Sequence, residues 1–408
     1  MLEVKVERCA GIDVHKKFLA VCLTSGQANQ RPKEEVRRFG TTVPELRQLL
    51  EWLLESGCTE VVMESTGSYW KPVFNILEGE IEVILANPEQ VKALRGKKTD
   101  PKDCRWLAGL LRHGLVQASF IPRREFRELR DLTRRRRTLM QQGASERNRV
   151  QKVLEDANVK IGNVLTDVFG MSGQAMMEAL LENKLNPEQM AALAQGRLRP
   201  KIPQIVETLE GHRMSDHHRL LLKQIFKHMG FIEEMVEELD KQIRERLQPY
   251  QKQVDLACTV PGIGPDAAAS ILAETGVDMS DDGPFSSCHQ LSSWAGICPG
   301  NNESGGKRKS GKTRHGNRWL HATLAQTAWA GAAKKNSSFR ERYYRLKPRR
   351  GPQRAVTAVG HAQLIAIYWV LRNGKPYQEQ VNHMEQQRRE SLIRHHLRRL
   401  DDLGYTRP

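Results

Sequence analysis

The sequence predicts an α/β N-terminal domain, a long helical arm and a mostly helical C-terminal domain. Strand and helix patterns alternate over the first hundred or so residues, helix formers dominate residues 123–253, and a glycine-rich basic stretch begins near Thr259. The chain has 408 residues, which is enough for two or three domains. We predict domains over residues 1–122, 123–253 and 254–377, followed by a charged basic tail over 378–408.

Apolar patterning places the elements of the N-terminal domain. Short apolar runs predict β-strands, and leucines that recur at helical spacing predict amphipathic helices. Periodicity alone supports no more than an α/β class. The predicted strands are Arg8–Val14, Lys17–Leu23, Glu35–Thr41, Thr59–Met63 and Ile81–Leu85, and the predicted helices are Val43–Ser56, Tyr69–Leu77 and Pro101–Leu115.

The arm is predicted to contain two long helices with irregular helical material between them. One runs from the basic segment Arg123–Arg137 to about Ile161, and the other covers Leu220–Leu247. The second carries apolar residues close to a heptad spacing. An ordinary bundle core explains such a stripe as well as coiled-coil pairing with another subunit does.

The charge of the chain favours a polyanionic partner. Lys and Arg number 64 against 48 for Asp and Glu, a formal charge of +16, and each phosphate they neutralise releases counterions. No stretch approaches the roughly 18 apolar residues of a spanning helix, and no signal peptide is evident, so nucleic acid is preferred over a membrane. The seven scattered cysteines form no CxxC pair, which argues against zinc or disulfides and predicts a cytoplasmic protein.

Four acids are predicted to converge on one metal site. Asp13 and Glu64 each follow an apolar strand directly, while Asp100 and Asp103 share one face of the helix that they open. Together with three strands followed by alternating helix and strand, this pattern indicates a ribonuclease H-like sheet. Carboxylates suit Mg²⁺ or Mn²⁺, and two such ions could stabilise the attacking and leaving oxygens of a phosphoryl transfer. Taken singly, Asp100 and Asp103 are also explained as helix-start acids.

A glycine-rich basic loop, Pro299–Trp319, forms the second candidate site. Its glycines let backbone N–H groups approach a phosphate, and it lacks the order of an NTP-binding loop. Residue chemistry allows three roles for Ser304: a nucleophile, a phosphate ligand or a turn former. Ser310 is hardly less suited to the role of nucleophile. Thr259–Leu272 has the form of a helix-hairpin-helix element or of a tight helix–helix turn. The predicted nucleic-acid contacts are Arg123, Arg124, Arg134, Arg135, Arg136, Arg137, Lys307, Arg308, Lys309, Lys312, Arg314 and Arg318.

Six segments in this order closely resemble the IS110/IS1111 insertion-sequence transposases, over residues 8 to about 377. They are GIDVHKK, VVMESTGSYW, LANPEQVKALRGKKTDPKDCRWLAGLL, TVPGIG, LSSWAGICPGNNESGGK and KTRHGN. The resemblance implies a RuvC-like domain whose DEDD tetrad is Asp13, Glu64, Asp100 and Asp103. It also implies that Ser304 attacks DNA to form a phosphoserine link.

The same resemblance implies partners and an assembly. Donor and target DNA would be paired by a noncoding guide RNA that the element encodes. A tetramer, or dimer of dimers, would be joined through coiled-coil arms, and carboxylates and serine from different protomers would complete each active site. The arm is long for this family.

Three rival functions fit parts of the pattern. A RuvC-like nuclease would use metal-activated water, with Ser304 only binding phosphate. An RNA-binding regulator would keep the tetrad for structure alone. An actin-like kinase shares a GID-like opening strand, but the missing phosphate-loop glycines and the positive charge argue against it.

Overall fold

The computed structural model describes residues 3–27, 30–64, 67–86, 100–298, 302–305, 307–310, 313, 316–379, 393–400 and 402. At 100–102, 302–304 and 307–310 this description covers the backbone only. The chain divides into two compact units, Met1–Ile121 and Pro122–Pro408.

The first unit is built on a five-stranded mixed sheet with the strand order β3-β2-β1-β4-β5. Strands β1 to β3 are antiparallel, whereas β4 runs parallel to both β1 and β5. This arrangement is consistent with the predicted RuvC-like domain, and each predicted element is found within a few residues. The strands are β1 Arg8–Val14, β2 Phe18–Ser25, β3 Lys33–Gly40, β4 Glu60–Glu64 and β5 Glu82–Ala86, and the helices are α1 Val43–Glu55, α2 Trp70–Leu77 and α3 Asp100–Arg112.

Alternation along β1 and β4 buries a different set of side chains on each face of the sheet. Ile12 and Met63 belong to the apolar cluster that includes Leu49 of α1. Cys9 and Val62 belong to a separate cluster, with Leu107 and Leu111 of α3. Because successive strand residues point to opposite faces, the residues in step with Cys9 and Val62 lie on the side that α3 covers.

Helix α3 lies on β1 at a glycine. A Cβ atom on Gly11 would overlap the carbonyl oxygen of Cys104 and the amide nitrogen of Ala108, so only glycine allows this approach. The far end of the helix is held by Arg112, whose side chain is 2% exposed. Its guanidinium donates to the carbonyl oxygens of Glu7 at 3.1 Å and Gly26 at 2.8 Å.

The described part of the second unit is mainly helical, with one small β-hairpin. The helices are α4 Arg124–Asp156, α5 Met171–Glu182, α6 Pro187–Ala191, α7 Ile202–Leu209, α8 Asp216–Leu247, α9 Gln251–Cys258, α10 Pro265–Thr275, α11 Cys288–Ala295, α12 Arg318–Ala333, α13 Ser338–Arg350 and α14 Pro352–Asn373. The hairpin strands are β6 Asn302–Ser304 and β7 Lys307–Ser310. Short 3-10 segments cover Ile161–Asn163, Gly196–Lys201 and Gln248–Tyr250, and residues 393–400 are helical.

The two long helices predicted in the arm are α4 and α8, and they pack against each other within the chain. Arg246 of α8 donates to Glu128 of α4 at 2.8 Å. Met229, Ile232 and Ile243 of the heptad-like stripe are buried. The intramolecular core therefore accounts for these three positions, and pairing of arms between subunits stays a prediction.

Helix α14 corrects the expectation that no stretch is apolar and long enough to cross a membrane. Its length and composition are those of a helix that could span a membrane. Half of its apolar window is buried inside the unit, as in any core helix. Gln363 in the middle of the helix is fully buried and hydrogen-bonded to Thr327 and Pro261.

The contact at Gly11 leads to the first testable prediction. Gly11→Val should lower the free energy of unfolding by about 3 kcal/mol. The new side chain would overlap backbone atoms of α3, which cannot move aside as a flexible side chain could. Guanidinium denaturation followed by circular dichroism measures this difference.

Gly109→Ala is the matched control, since Gly109 lies in α3 and a Cβ there has no atom within 4 Å. This variant should be neutral or up to about 1 kcal/mol more stable, because alanine favours a helix over glycine. Equal destabilisation by both substitutions would contradict the proposed packing.

Candidate active site

Asp13 and Glu64 are brought to the same edge and the same face of the sheet. Strands β1 and β4 are parallel, with Ile12 opposite Met63, so the next residue of each strand is an acid. Asp13 is in step with Cys9, and Glu64 is in step with Val62, which places both acids on the face that α3 covers. Both side chains are partly buried. The first and fourth strands therefore lie side by side, as the sequence predicts, and the role of the two acids stays a prediction.

Helix α3 begins close to this edge of the sheet. The helix begins at Asp100, whose side chain lies outside the described residues, and Asp103 follows in its first turn, partly buried. The next residue, Cys104, touches the backbone of Gly11, two positions before Asp13. Burial raises the pKa of the Cys104 thiol, and the negative charge of Asp13 adds to the rise. The backbone of Cys104 therefore lies beside β1 two residues before Asp13, on the face that holds Asp13 and Glu64.

Asp13 has a direct partner in His15. The Asp13 Oδ2 atom lies 3.0 Å from Nε2 of His15, and the Asp13 side chain is 18% exposed. The His15 imidazole stacks on the Phe18 ring, and the two ring centroids are 4.4 Å apart. The Arg38 guanidinium lies over the Phe18 ring, 3.6 Å from its centroid. His15 was not selected from the sequence, although its place two residues after Asp13 would put it on the same face of an extended strand.

The donor atoms suit a hard divalent cation, but the described side chains do not form a finished cage. Among them, no group of three or more His, Cys, Asp and Glu side chains is close enough to hold a metal ion. Asp13, Glu64 and Asp103 supply carboxylate oxygens, the ligand type that Mg²⁺ and Mn²⁺ prefer. The four-carboxylate site remains a prediction that depends in part on Asp100.

The glycine-rich basic loop contains a β-hairpin. Ser304 is the last residue of β6 and pairs with Lys307 of β7, and Glu303 pairs with Arg308. Gly305, at the turn, has a φ of +61°, a left-handed conformation that glycine adopts without strain. Ser304 thus lies beside the tip of the hairpin. Lys309 belongs to β7, and Lys312 and Arg314 lie outside the described residues.

A second glycine contact anchors the base of the loop, meaning the point at which the segment that carries Ser304 rejoins the helical body. A Cβ atom on Gly316 would overlap backbone atoms of Ala295 and Gly296 at the end of α11. The next residue, Asn317, caps α12 by accepting hydrogen bonds from the amides of Trp319 at 3.1 Å and Leu320 at 3.2 Å. The segment that carries Ser304 therefore leaves and rejoins the helical body at adjacent points.

A buried carboxylate lies beside that base. Glu274, at the end of α10, has a side chain only 3% exposed. Both of its oxygens accept from Arg134 of α4, each at 2.7 Å, and Oε2 also accepts from Asn317 Nδ2 at 2.6 Å. Arg130 adds an ion pair at 3.2 Å and donates to the Ala273 carbonyl at 3.0 Å. Burial lowers the pKa of Arg130 to about 10, so it is still charged at neutral pH.

The four consecutive arginines of α4 therefore differ in their surroundings. Arg134 pairs with Glu274, Arg136 pairs with Asp266 at 2.8 Å and also with Asp240, and Arg137 donates to Thr323 at 2.9 Å. A phosphate would have to compete with these internal partners. Three other predicted contacts are exposed: Arg123, Arg124 and Arg135. Arg318, at the start of α12, is exposed and stacks over Trp319 at 5.0 Å.

The predicted helix-hairpin-helix element is a packed turn between α9 and α10. A Cβ atom on Gly262 would overlap the backbone of Gly331 in α12. The Pro261 carbonyl accepts a hydrogen bond from Gln363 at 2.8 Å. These contacts account for the glycine-rich pattern through packing, and a phosphate contact at the start of α10 stays a prediction.

A basic surface on α13 was missed from the sequence. Nine Lys or Arg residues and one acid, Glu341, occur between Lys334 and Arg354. The exposed basic side chains include Arg345, Arg349 and Arg350. The exposed rings of Tyr344 and Trp329 flank the buried ring of Tyr343, with centroid distances of 5.2 and 5.4 Å. The sequence does carry a signal for this surface, because basic residues interrupted by aromatic ones are typical of nucleic-acid-binding surfaces.

Two family models match the chain. One, described as a transposase of the DEDD IS110 type, matches residues 10–159. The other, described as the transposase IS116/IS110/IS902 family, matches residues 254–344. Together they cover more than half of the chain and include both the strand-end acids and the serine hairpin. No curated protein shows significant similarity to the chain.

Proposed function

The chain belongs to the IS110 family of transposases, and we propose that it moves an insertion sequence by metal-dependent cleavage and rejoining of DNA through a phosphoserine intermediate. Transposase activity on DNA follows from the family. The observation that carries the finer proposal is the pair of acids, Asp13 and Glu64, on one face at the ends of adjacent parallel strands.

The acidic edge would supply the metal site. Asp13, Glu64 and Asp103, with Asp100, would hold Mg²⁺ or Mn²⁺ through their carboxylate oxygens. When bound, such ions polarise a phosphate and favour the ionised form of a hydroxyl. His15, 3.0 Å from Asp13, would hold that carboxylate in one orientation.

Ser304 would be the nucleophile. Its hydroxyl oxygen forms a bond to the phosphorus, and the bond from phosphorus to the sugar oxygen of the departing DNA end breaks. The serine proton is lost, and the departing oxygen leaves with a proton. The phosphoserine ester conserves the energy of the phosphodiester, so the rejoining step needs no ATP. The place of Ser304 beside an exposed turn glycine supports this role, because a DNA strand can approach the hairpin tip.

The remaining features concern assembly. We propose that a noncoding guide RNA of the element pairs with donor and target DNA, and that arms built from α4 and α8 join subunits into a tetramer. In that assembly, the carboxylates of one subunit would meet the serine of another. The protein would act in the cytoplasm, on the nucleoid.

Ser304→Ala provides the direct test of the covalent step. The wild-type protein, purified with its co-expressed RNA and supplied with Mg²⁺ and DNA carrying the element ends, should form a protein–DNA adduct that survives denaturing electrophoresis. Ser304→Ala should form none, because no hydroxyl remains to attack the phosphate.

Ser310→Ala is the matched control, since Ser310 lies in the other strand of the same hairpin. It should retain adduct formation. If Ser304→Ala still nicked the DNA at the same sites, a water-using nuclease would replace the proposed mechanism.

The α13 surface should contribute to nucleic-acid affinity. Replacing Arg345, Arg349 and Arg350 with alanine should reduce the slope of log affinity against log salt by about 0.9 for each phosphate of duplex DNA that the variant no longer neutralises. Fluorescence anisotropy with labelled element-end DNA over a range of salt concentrations measures the slope.

A control variant that removes the same charge elsewhere replaces Lys223, Lys227 and Lys241, which are exposed on α8. Its slope should stay close to that of the wild type. A similar reduction in both variants would mean that only net charge matters, and that α13 is not a contact surface.

A further inference from the structure

We propose that Glu274 is a positioning residue for the serine hairpin, and that Asn317 passes its effect to the loop. The inference rests on the proposed role of Ser304. Glu274 does not act on DNA itself; it fixes the point at which the chain rejoins the helical body after the hairpin.

The cost of burying Glu274 indicates that the carboxylate has a specific task. A buried carboxylate destabilises a fold unless charge pairs and hydrogen bonds compensate for the removal of water. Here the compensation comes from Arg134 in a two-point pair, from Arg130 and from the Asn317 amide. Three separate segments thus meet at one side chain: α4, the end of α10 and the start of α12.

The identity of residue 317 fits this network. Asn, Asp and Ser are all good helix caps, so capping alone does not require asparagine. The side-chain oxygen of Asn317 caps α12, while its NH₂ group donates to Glu274. Aspartate could cap the helix but would place a second negative charge beside Glu274, and serine has no second polar group with which to reach it.

The contact at Gly316 makes the point where the loop rejoins the helical body sensitive to small shifts. Gly316 lies against Ala295 and Gly296 with no room for a side chain, immediately before Asn317. A displacement of Asn317 would therefore move both ends of the segment that carries Ser304. A misplacement of about 1 Å at a reacting group can slow a reaction by roughly 100-fold.

Glu274→Gln tests the proposal with the full-length protein and its co-expressed RNA. Glutamine keeps the shape of glutamate but removes the charge that pairs with Arg134. The rate constant of Ser304–DNA adduct formation at saturating DNA should fall by roughly 10- to 100-fold. The DNA concentration at half-maximal rate should change less than about twofold.

Asn317→Ser supplies a second variant in case Glu274→Gln fails to fold. It retains the cap and should show the same reduction in rate. Glu146→Gln is the matched control, because Glu146 in α4 has a side chain only 4% exposed and belongs to a separate ion pair, with His228 of α8 at 3.0 Å. This control should form the adduct at the wild-type rate.

Four results would bear on the proposal differently. A slower rate in Glu274→Gln and Asn317→Ser, but not in Glu146→Gln, would support it. An equal reduction in all three variants, or weaker DNA binding with an unchanged rate constant, would overturn it in favour of a purely structural cluster. If the wild-type protein formed no adduct, the proposed phosphoserine mechanism would fail first.

Discussion

The N-terminal site depends on the direct contact between the backbone of α3 and the backbone of β1 at Gly11. Only a residue without a side chain lets the helix approach the strand so closely. The contact lies two residues before Asp13 and one residue after Asp103 in their respective segments, so a shift of α3 along β1 would change the distance between those acids. Arg112 fixes the other end of the helix through buried hydrogen bonds to strand-end carbonyls. Acids of like charge can be held together in this way by packing that does not involve the acids themselves.

The same principle operates in the second unit. Gly316 lies against the end of α11, and the adjacent Asn317 joins the buried cluster of Glu274, Arg130 and Arg134. The segment that carries Ser304 thus rejoins the helical body at a point held by backbone packing and a buried ion-pair cluster. An exposed loop anchored on a packed helical body suits chemistry on a large substrate, because the groups that bind DNA must be accessible while the residues that support them stay fixed.

The sequence was informative where a local pattern has one structural outcome. Short apolar runs predict β1 and β4, and the acids at the ends of those runs had to meet at one edge if the strands were neighbours. It was less informative where the outcome depends on distant residues. The sequence around Arg134 and Arg135 does not show which of the two is paired. The partner of Arg134, Glu274, lies 140 residues away along the chain. The polar and glycine residues around Ser304 show no apolar alternation, so the sequence predicts a loop where the structure has a hairpin. The proposed role of the serine rests on family resemblance rather than on residue chemistry.

We propose that strand-end carboxylates and a hairpin serine from different subunits form one active centre. Mixed assemblies of two differently tagged variants, Asp13→Ala and Ser304→Ala, test it most directly. Each variant alone should be inactive, whereas doubly purified mixed assemblies should regain covalent DNA attachment, because one intact acidic site can meet one intact serine. Mixed assemblies that bind DNA but remain inactive would contradict the account.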